Sequence, residues 1–176
     1  MRSLLETSSI GSGDLVYEIG PGRGIITTEL AQIARKVVAV EKDLDLARGL
    51  CKKFEGVRNV QIITNDFLRY RIPDQEYKIF ANIPYNLTAD IVRKVLYTPP
   101  VPDEAYLIVQ KEAAEKFSGS PRETQFSVLA KPLFDIRIVR ELRRTDFEPM
   151  PSVDSVLLQI KKRPAALVRH EDAFLY

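Results

Sequence analysis

Leu15-Val16-Tyr17-Glu18-Ile19-Gly20-Pro21-Gly22-Arg23-Gly24 is the stretch on which the architecture turns. A short, mainly apolar run stopped by a glycine reads as a strand, and Ile26, Leu30, Ile33 and Ala34 after it recur at the spacing of one helix face. The same alternation continues downstream. Val37–Val40 is a β-branched strand, Leu44–Phe54 a helix, Val60–Ile63 a strand and Lys78–Ala81 another. Ala89–Leu96 follows as a helix with Ile91, Val92 and Val95 inward, and Ala105–Val109 as a further buried strand. Strands apolar on both faces and separated by helices predict an α/β chain with a mostly parallel, doubly wound sheet. The last third departs from this rhythm. Pro99-Pro100-Val101-Pro102 is a rigid connector, a helix starts near Glu112, and Phe134–Leu142 and Val153–Lys161 are two strands with no helix between them, so an antiparallel hairpin should end the sheet.

Composition bounds what such a chain can do. Its 176 residues make one domain, with 45% hydrophobic and 28% charged residues in the range of ordinary globular proteins. Twenty-six basic against 24 acidic residues leave a formal charge of +2, so a basic surface has to come from local clustering. Cys51 and His170 are the single cysteine and histidine, which excludes an internal disulfide and a Cys-rich zinc site. No metal site is expected. No apolar run approaches the roughly 18 residues of a membrane span, and Met1-Arg2-Ser3-Leu4-Leu5-Glu6 meets an acid before any apolar core develops. A monomeric cytoplasmic protein with no membrane partner is the expectation.

Between the first strand and the first helix, glycines let the backbone turn sharply and admit a ligand close to it, beside the free N–H groups of the helix start. The spacing is G-x-G-x-G, not the dinucleotide G-x-G-x-x-G, and Pro21 removes a donor that a pyrophosphate would use. A plain structural turn is the other reading. Two acids weigh against it. Glu41 ends the second strand, 21 positions after Gly20, where a carboxylate can accept from both ribose hydroxyls. Asp66 follows the third, where it can accept from an adenine amine while Phe67 walls the ring. Either acid alone could be a solvated or capping residue. In series they describe a site for adenosine without phosphate, which suits S-adenosylmethionine. The candidate cofactor set is Glu18, Gly20, Gly22, Glu41 with Lys42 beside it, Asp66, Phe67 and Asn82.

Asn82-Ile83-Pro84-Tyr85 leaves the fourth strand at the same edge. An adenine amine is a poor nucleophile because its lone pair is delocalised into the ring. The Asn82 side-chain oxygen and the Ile83 carbonyl, accepting its two hydrogens, would favour a pyramidal nitrogen with an available lone pair. Pro84 fixes the turn and Tyr85 offers a ring for a base to stack on. An ordinary strand-ending Asn-x-Pro turn is the alternative.

Glu18 to Gly24, Glu41, Asn65-Asp66, Asn82 to Leu87 and Phe147-Glu148-Pro149-Met150-Pro151-Ser152-Val153-Asp154-Ser155-Val156 are similar, in order and spacing, to the ribosomal RNA adenine N6-dimethyltransferases, which include KsgA and the Erm macrolide-resistance enzymes. The resemblance spans about Leu15 to Lys162. It implies a Rossmann-like class I methyltransferase fold, S-adenosylmethionine at Gly20, Glu41, Asp66 and Asn82, and a target adenine of ribosomal RNA or a ribosomal subunit precursor held by Asn82 and Tyr85. It further implies that Phe147 closes over the other face of that base, which must be extruded to be reached. Family members carry an earlier segment with Gln-Asn/His-Phe-Leu and a C-terminal helical domain. Neither pattern occurs here, so residues 1–176 are expected to be the catalytic domain alone. Asn82–Tyr85 followed by Thr88–Lys94 resembles the Erm side, implying large-subunit RNA, more than KsgA.

Arg137, Arg140, Arg143 and Arg144 precede Phe147, and Lys161 and Lys162 end the last strand. Facing the cleft, they would hold RNA phosphates; on an exposed edge, they would guard it against pairing. Methylation of a DNA adenine or of a protein glutamine, and a non-catalytic RNA-binding role in ribosome assembly, are the competing functions.

Overall fold

In the computed structural model, which describes residues 2–146, 153–165 and 167, Leu15–Ile19 is strand β1 and is buried along its whole length. Alternation along it divides the molecule into two cores. Leu15, Tyr17 and Ile19 join one face with Val38, Val40, Ile79 and Ala81, while Val16 joins the other with Val37 and Phe80. A strand with two buried faces needs helices on both, and the chain supplies them.

A short helix, α1 (Arg2–Leu5), precedes β1, and α2 (Ile25–Ile33), β2 (Lys36–Glu41), α3 (Leu44–Lys53) and β3 (Val60–Thr64) follow it. Then come β4 (Lys78–Asn82), a 3-10 turn at Tyr85–Leu87, α4 (Thr88–Tyr97), β5 (Glu104–Gln110), α5 (Lys111–Ser118) and α6 (Gln125–Ala130). β6 (Phe134–Leu142) and β7 (Ser155–Lys162) complete the sheet. Ile26 and Leu30 of α2 cover the Val16 face; Ile91, Val92, Val95 and Leu96 of α4 cover the Tyr17 face. Local signals fix the helix ends. The Asp43 Oδ1 accepts the N–H groups of Asp45 and Leu46 at 2.9 Å each to start α3. Thr124 and Ser127 cap α6 reciprocally, with Thr124 Oγ1 accepting the Ser127 N–H at 3.1 Å and Ser127 Oγ accepting the Thr124 N–H at 2.9 Å.

Strand order is β3-β2-β1-β4-β5-β7-β6, with β1 to β5 mutually parallel and β7 antiparallel to both neighbours. The expected parallel sheet and terminal hairpin are both present. Within the hairpin the later strand lies inside. Val156, Leu157, Leu158 and Ile160 of β7 are buried on both faces, whereas β6 carries Arg137 and Arg140 and suits the edge. β7 begins at Ser155, two residues later than its sequence pattern suggests. Because β2 and β4 flank β1 on opposite sides, the chain reverses direction across the sheet between β1 and β4, which is where doubly wound folds hold ligands.

Candidate active site

β1 pairs with β4 through Ile19 and Ala81, so the next residue on each strand, Gly20 and Asn82, emerges side by side at the carboxyl edge, one strand spacing of about 4.8 Å apart. On the other flank the Gly20 N–H donates to Val40 O at 3.0 Å and the Asn65 N–H to Glu41 O at 2.9 Å, which brings Glu41 and Asp66 to the same edge in strand order. Four loops therefore converge over the switch point.

Gly20, Gly22 and Gly24 have φ of 61°, 56° and 72°, a region that L side chains rarely occupy. A Cβ at Gly20 or Gly22 would meet nothing within 4 Å, so open space lies above the turn; at Gly24 it would lie 2.7 Å from Leu50 Cδ2 and 2.9 Å from Phe54 Cε2. The last glycine is there for packing against α3 and the first two leave room for a ligand. Glu41, 5% exposed, sets the turn: its Oε2 accepts the Gly22 N–H at 3.1 Å and its Oε1 the Asp43 N–H at 3.0 Å. A carboxylate offers about four acceptor positions, so Glu41 keeps capacity for a vicinal diol. From α3 the Lys53 ammonium donates to Arg23 O at 2.9 Å and Gly24 O at 3.1 Å, closing the turn from below. Lys42 is exposed beside it.

Glu18 is only 1% exposed. Thr27 Oγ1 donates to its Oε2 at 2.6 Å, while Oε1 is buried and has no partner among the described residues. Burial drives its pKa up to about 7, against the opposing pull of the Thr27 hydrogen bond. An acid left half-satisfied two residues from an open glycine turn is a donor-seeking group, which fits a ligand carrying an amine or hydroxyl. Asp66 Oδ1 accepts the Leu68 N–H at 2.9 Å, and Phe67 beside it is buried. The turn, the two spare acceptors and the buried wall suit an adenosine with an amino-acid tail. Among the described residues no group of His, Cys, Asp and Glu could hold a metal ion.

Asn82 is exposed at the end of β4, Ile83 is buried and donates its N–H to Ile108 O at 3.0 Å, and Leu87 N–H donates to Pro84 O at 2.9 Å to close the turn. Tyr85 is 42% exposed, and its hydroxyl pairs with Ser155 Oγ at 3.3 Å. That bond ties the Asn82–Tyr85 turn to the start of β7. Phe147 lies outside the described residues.

The six basic residues read either as phosphate contacts of the cleft or as guards of an exposed edge do not stay together. Leu142 pairs with Ser155 and Ser155 with Gln110, so Arg143 and Arg144 sit at the carboxyl edge, where Arg144 Nε donates to Asp154 Oδ1 at 2.8 Å. Lys161 and Lys162 are a correction. β7 runs antiparallel to β5, so it ends at the amino edge, where Lys161 meets Glu104 Oε1 at 2.7 Å. Seven strand steps of about 3.3 Å separate Lys162 from Ser155. Arg137 and Arg140 lie between these ends on the edge strand, paired with Asp135 and with Ser3 O respectively.

Sequence reasoning passed over Lys53, Lys94, Thr27 and Ser155. A lysine on an amphipathic helix carries no local mark of the loop it reaches; a buried acid followed nine residues later by Thr on the covering helix face is the one signal that was available, in Glu18 and Thr27.

The family model for ribosomal RNA adenine dimethylase matches residues 1–176. The chain is 39% identical over 157 residues to a ribosomal RNA small subunit methyltransferase A of Synechococcus sp., covering 85% of this chain and 56% of that protein. It is 31% identical over 172 residues to an rRNA adenine N-6-methyltransferase of Bacillus licheniformis, covering 97% and 60%. The chain thus spans little more than half the length of these curated relatives. The crystal structure of the 23S rRNA methyltransferase ErmE superposes with a TM-score of 0.92 at 32% identity, covering 99% of this chain and 72% of that one.

Proposed function

Because the chain belongs to the ribosomal RNA adenine dimethylase family, we propose that it transfers one or two methyl groups from S-adenosylmethionine to N6 of an adenine in ribosomal RNA. The observation that carries this reading is the register of β1 against β4, which brings the open Gly20 turn and the exposed Asn82 to adjacent strand ends. When bound, S-adenosylmethionine supplies an electrophilic methyl group on sulfur. Glu41 accepts from the ribose hydroxyls, Asp66 from the adenine amine, and Phe67 backs the ring. Glu18, two residues before Gly20, offers its Oε1, which has no partner among the described residues.

On the substrate side, Asn82 Oδ1 and the Ile83 carbonyl accept the two hydrogens of the target amine and hold its lone pair toward the donor. Tyr85, fixed by Ser155, stacks on one face of the base, and Phe147 covers the other. No strong general base is required, since the amine becomes acidic once it carries the extra methyl group. Arg143 and Arg144 flank this side of the cleft and hold backbone phosphate, so binding weakens as salt rises.

Large-subunit RNA is the proposed target, supported by the Asn82–Lys94 segment and the close superposition on ErmE. Small-subunit RNA is the second reading, favoured by the 39% identity to a small subunit methyltransferase. Labelled methyl transfer to 23S rRNA, 16S rRNA, duplex DNA and release-factor protein, followed by mass spectrometry of the product, tests these readings together. Incorporation as N6-methyladenine in 23S rRNA is expected. Label in protein or DNA alone refutes the RNA assignment. A chain that binds S-adenosylhomocysteine calorimetrically yet labels none of the four substrates loses the catalytic reading.

A further inference from the structure

Lys94 lies on the face of α4 that meets the loop after β3, and what it touches there is unusual for a surface lysine. Its ammonium donates to Phe67 O and, at 2.6 Å, to Tyr70 O, and it stands 4.8 Å from the centre of the Phe67 ring. The loop it clasps starts at Asp66. Asp66 Oδ1 accepts the Leu68 N–H at 2.9 Å, and Asp66 O accepts from Arg69 N–H at 2.9 Å and Tyr70 N–H at 2.8 Å, so residues 66–70 form one tight turn.

Packing anchors that turn only on one side, through buried Phe67 and the Tyr70 ring, whose centre lies 6.2 Å from that of Tyr17. Beneath it lies a cavity of about 410 Å³ lined by Phe67, Tyr70, Tyr77, Val95, Pro100 and Lys94 itself. The cavity opens to solvent, so on this side the backbone of the turn has few side chains against it and depends on its hydrogen bonds. Burying a charged amine against apolar neighbours is costly, and here burial lowers the proton affinity of Lys94 while nearby Asp66 raises it. The cost is offset by charge-assisted bonds to two carbonyls and by the ring beneath. α4 starts directly after the Asn82–Tyr85 turn, so the lysine links the segment read as holding the target base to the loop read as holding the cofactor's adenine.

We infer that Lys94 is a positioning residue for adenine recognition: by clasping the carbonyls of Phe67 and Tyr70 it fixes the 66–70 turn over its cavity, so that Asp66 and Phe67 present an edge acceptor and a face to the cofactor's base. This rests on the cofactor reading above. The ligand chemistry it selects is a 6-aminopurine over a 6-oxopurine, because Asp66 as an acceptor pairs with an amine and repels a carbonyl.

Isothermal titration of the full chain with S-adenosylhomocysteine and with S-inosylhomocysteine tests it, beside thermal unfolding of each variant. Wild type should prefer the adenine ligand. In Lys94→Met the adenine ligand should weaken by about tenfold and the preference between the two ligands should shrink toward equality, while Lys94→Arg retains both. A role confined to stability would lower the melting temperature and weaken both ligands together, leaving their ratio unchanged; that result overturns the inference. Should Lys94→Met not fold, Lys94→Gln, which keeps a donor but cannot span both carbonyls, carries the same comparison. Wild type that binds neither ligand overturns the cofactor reading and this inference with it. Wild type that prefers adenine, beside a Lys94→Met chain that keeps the preference, overturns the role of the lysine alone.

Discussion

Replacing Glu104 by Gln probes the amino edge of the sheet, opposite the proposed site. Glu104 is 6% exposed and collects four donors: Lys161 Nζ at 2.7 Å, Tyr106 hydroxyl at 2.5 Å, Ser9 hydroxyl at 2.8 Å and Gln159 amide at 3.4 Å. Ser9 N–H in turn donates to the Tyr106 hydroxyl at 2.9 Å, so the network anchors the segment before β1. Burial alone would raise the Glu104 pKa, but the hydrogen bonds from Lys161, Tyr106 and Ser9 outweigh it and hold it at about 2, against an ordinary 4.5. A depressed carboxylate adds stability above its unfolded pKa and loses it as pH falls toward the folded one, here from 4.5 down to about 2. The full displacement is worth about 3 kcal/mol, and Lys161, half exposed, returns part of that to water and salt. Glu104→Gln should therefore destabilise by about 2 kcal/mol at pH 7. The gap to wild type should narrow as pH drops below 4.5. Urea unfolding at pH 7, 4 and 3 measures it, and titration with S-adenosylhomocysteine at pH 7 should give the wild-type affinity because the two edges are independent. Equal stabilities at pH 7, or a gap that widens in acid, would refute the reasoning.

Four further variants probe the cleft. Asn82→Ala should reduce single-turnover methyl transfer at least about a hundredfold while calorimetric cofactor affinity changes only a few-fold, because the contact acts mainly in the transition state. Gly24→Ala should cost about 3 kcal/mol in urea unfolding, from a left-handed φ of 72° and a methyl group 2.7 Å from Leu50 Cδ2. Gly22→Ala, strained but unobstructed, should cost less. Glu18→Gln should gain stability over wild type as pH rises from 4.5 through about 7, by about 2 kcal/mol at pH 8, since the raised folded pKa penalises the ionised acid there; parallel denaturation curves at pH 5 and 8 read this directly.

How far the sequence reached depends on what each feature needs. β1 to β5 and α2 to α4 were legible because their patterns are local: Val37–Val40 or Ile91, Val92 and Val95 declare their period without reference to anything distant. α6 was not, since six residues with Phe126, Val128 and Leu129 show less than two helical turns of pattern, and its existence rests on the Thr124–Ser127 cap. The convergence of Gly20, Glu41, Asp66 and Asn82 was legible too, because parallel connectivity forces successive strand ends onto one edge. Lys161 and Lys162 failed for the converse reason. Their end of the sheet depends on β7 lying antiparallel between β5 and β6, a pairing that neither strand's composition encodes. Lys53 and Lys94 could not be found at all, since they act on carbonyls 30 and 24 residues away in sequence.

The two edges of the sheet divide stability from chemistry. At the amino edge Glu104 is saturated with donors and holds Ser9, Tyr106, Gln159 and Lys161 in one network. At the carboxyl edge the polar groups are left short. Among the described residues Glu18 Oε1 is buried without a partner, Asn82 is exposed, and a Cβ added at Gly20 or Gly22, both left-handed, would meet nothing within 4 Å. Of these, the buried half-satisfied Glu18 costs free energy that a fold selected for stability alone would recover, by Gln at 18. Open glycine turns and acceptors with spare capacity at one edge, beside a saturated network at the other, fit a preorganised ligand site, because an acceptor whose lone pairs are all taken within the protein has none left for a ligand.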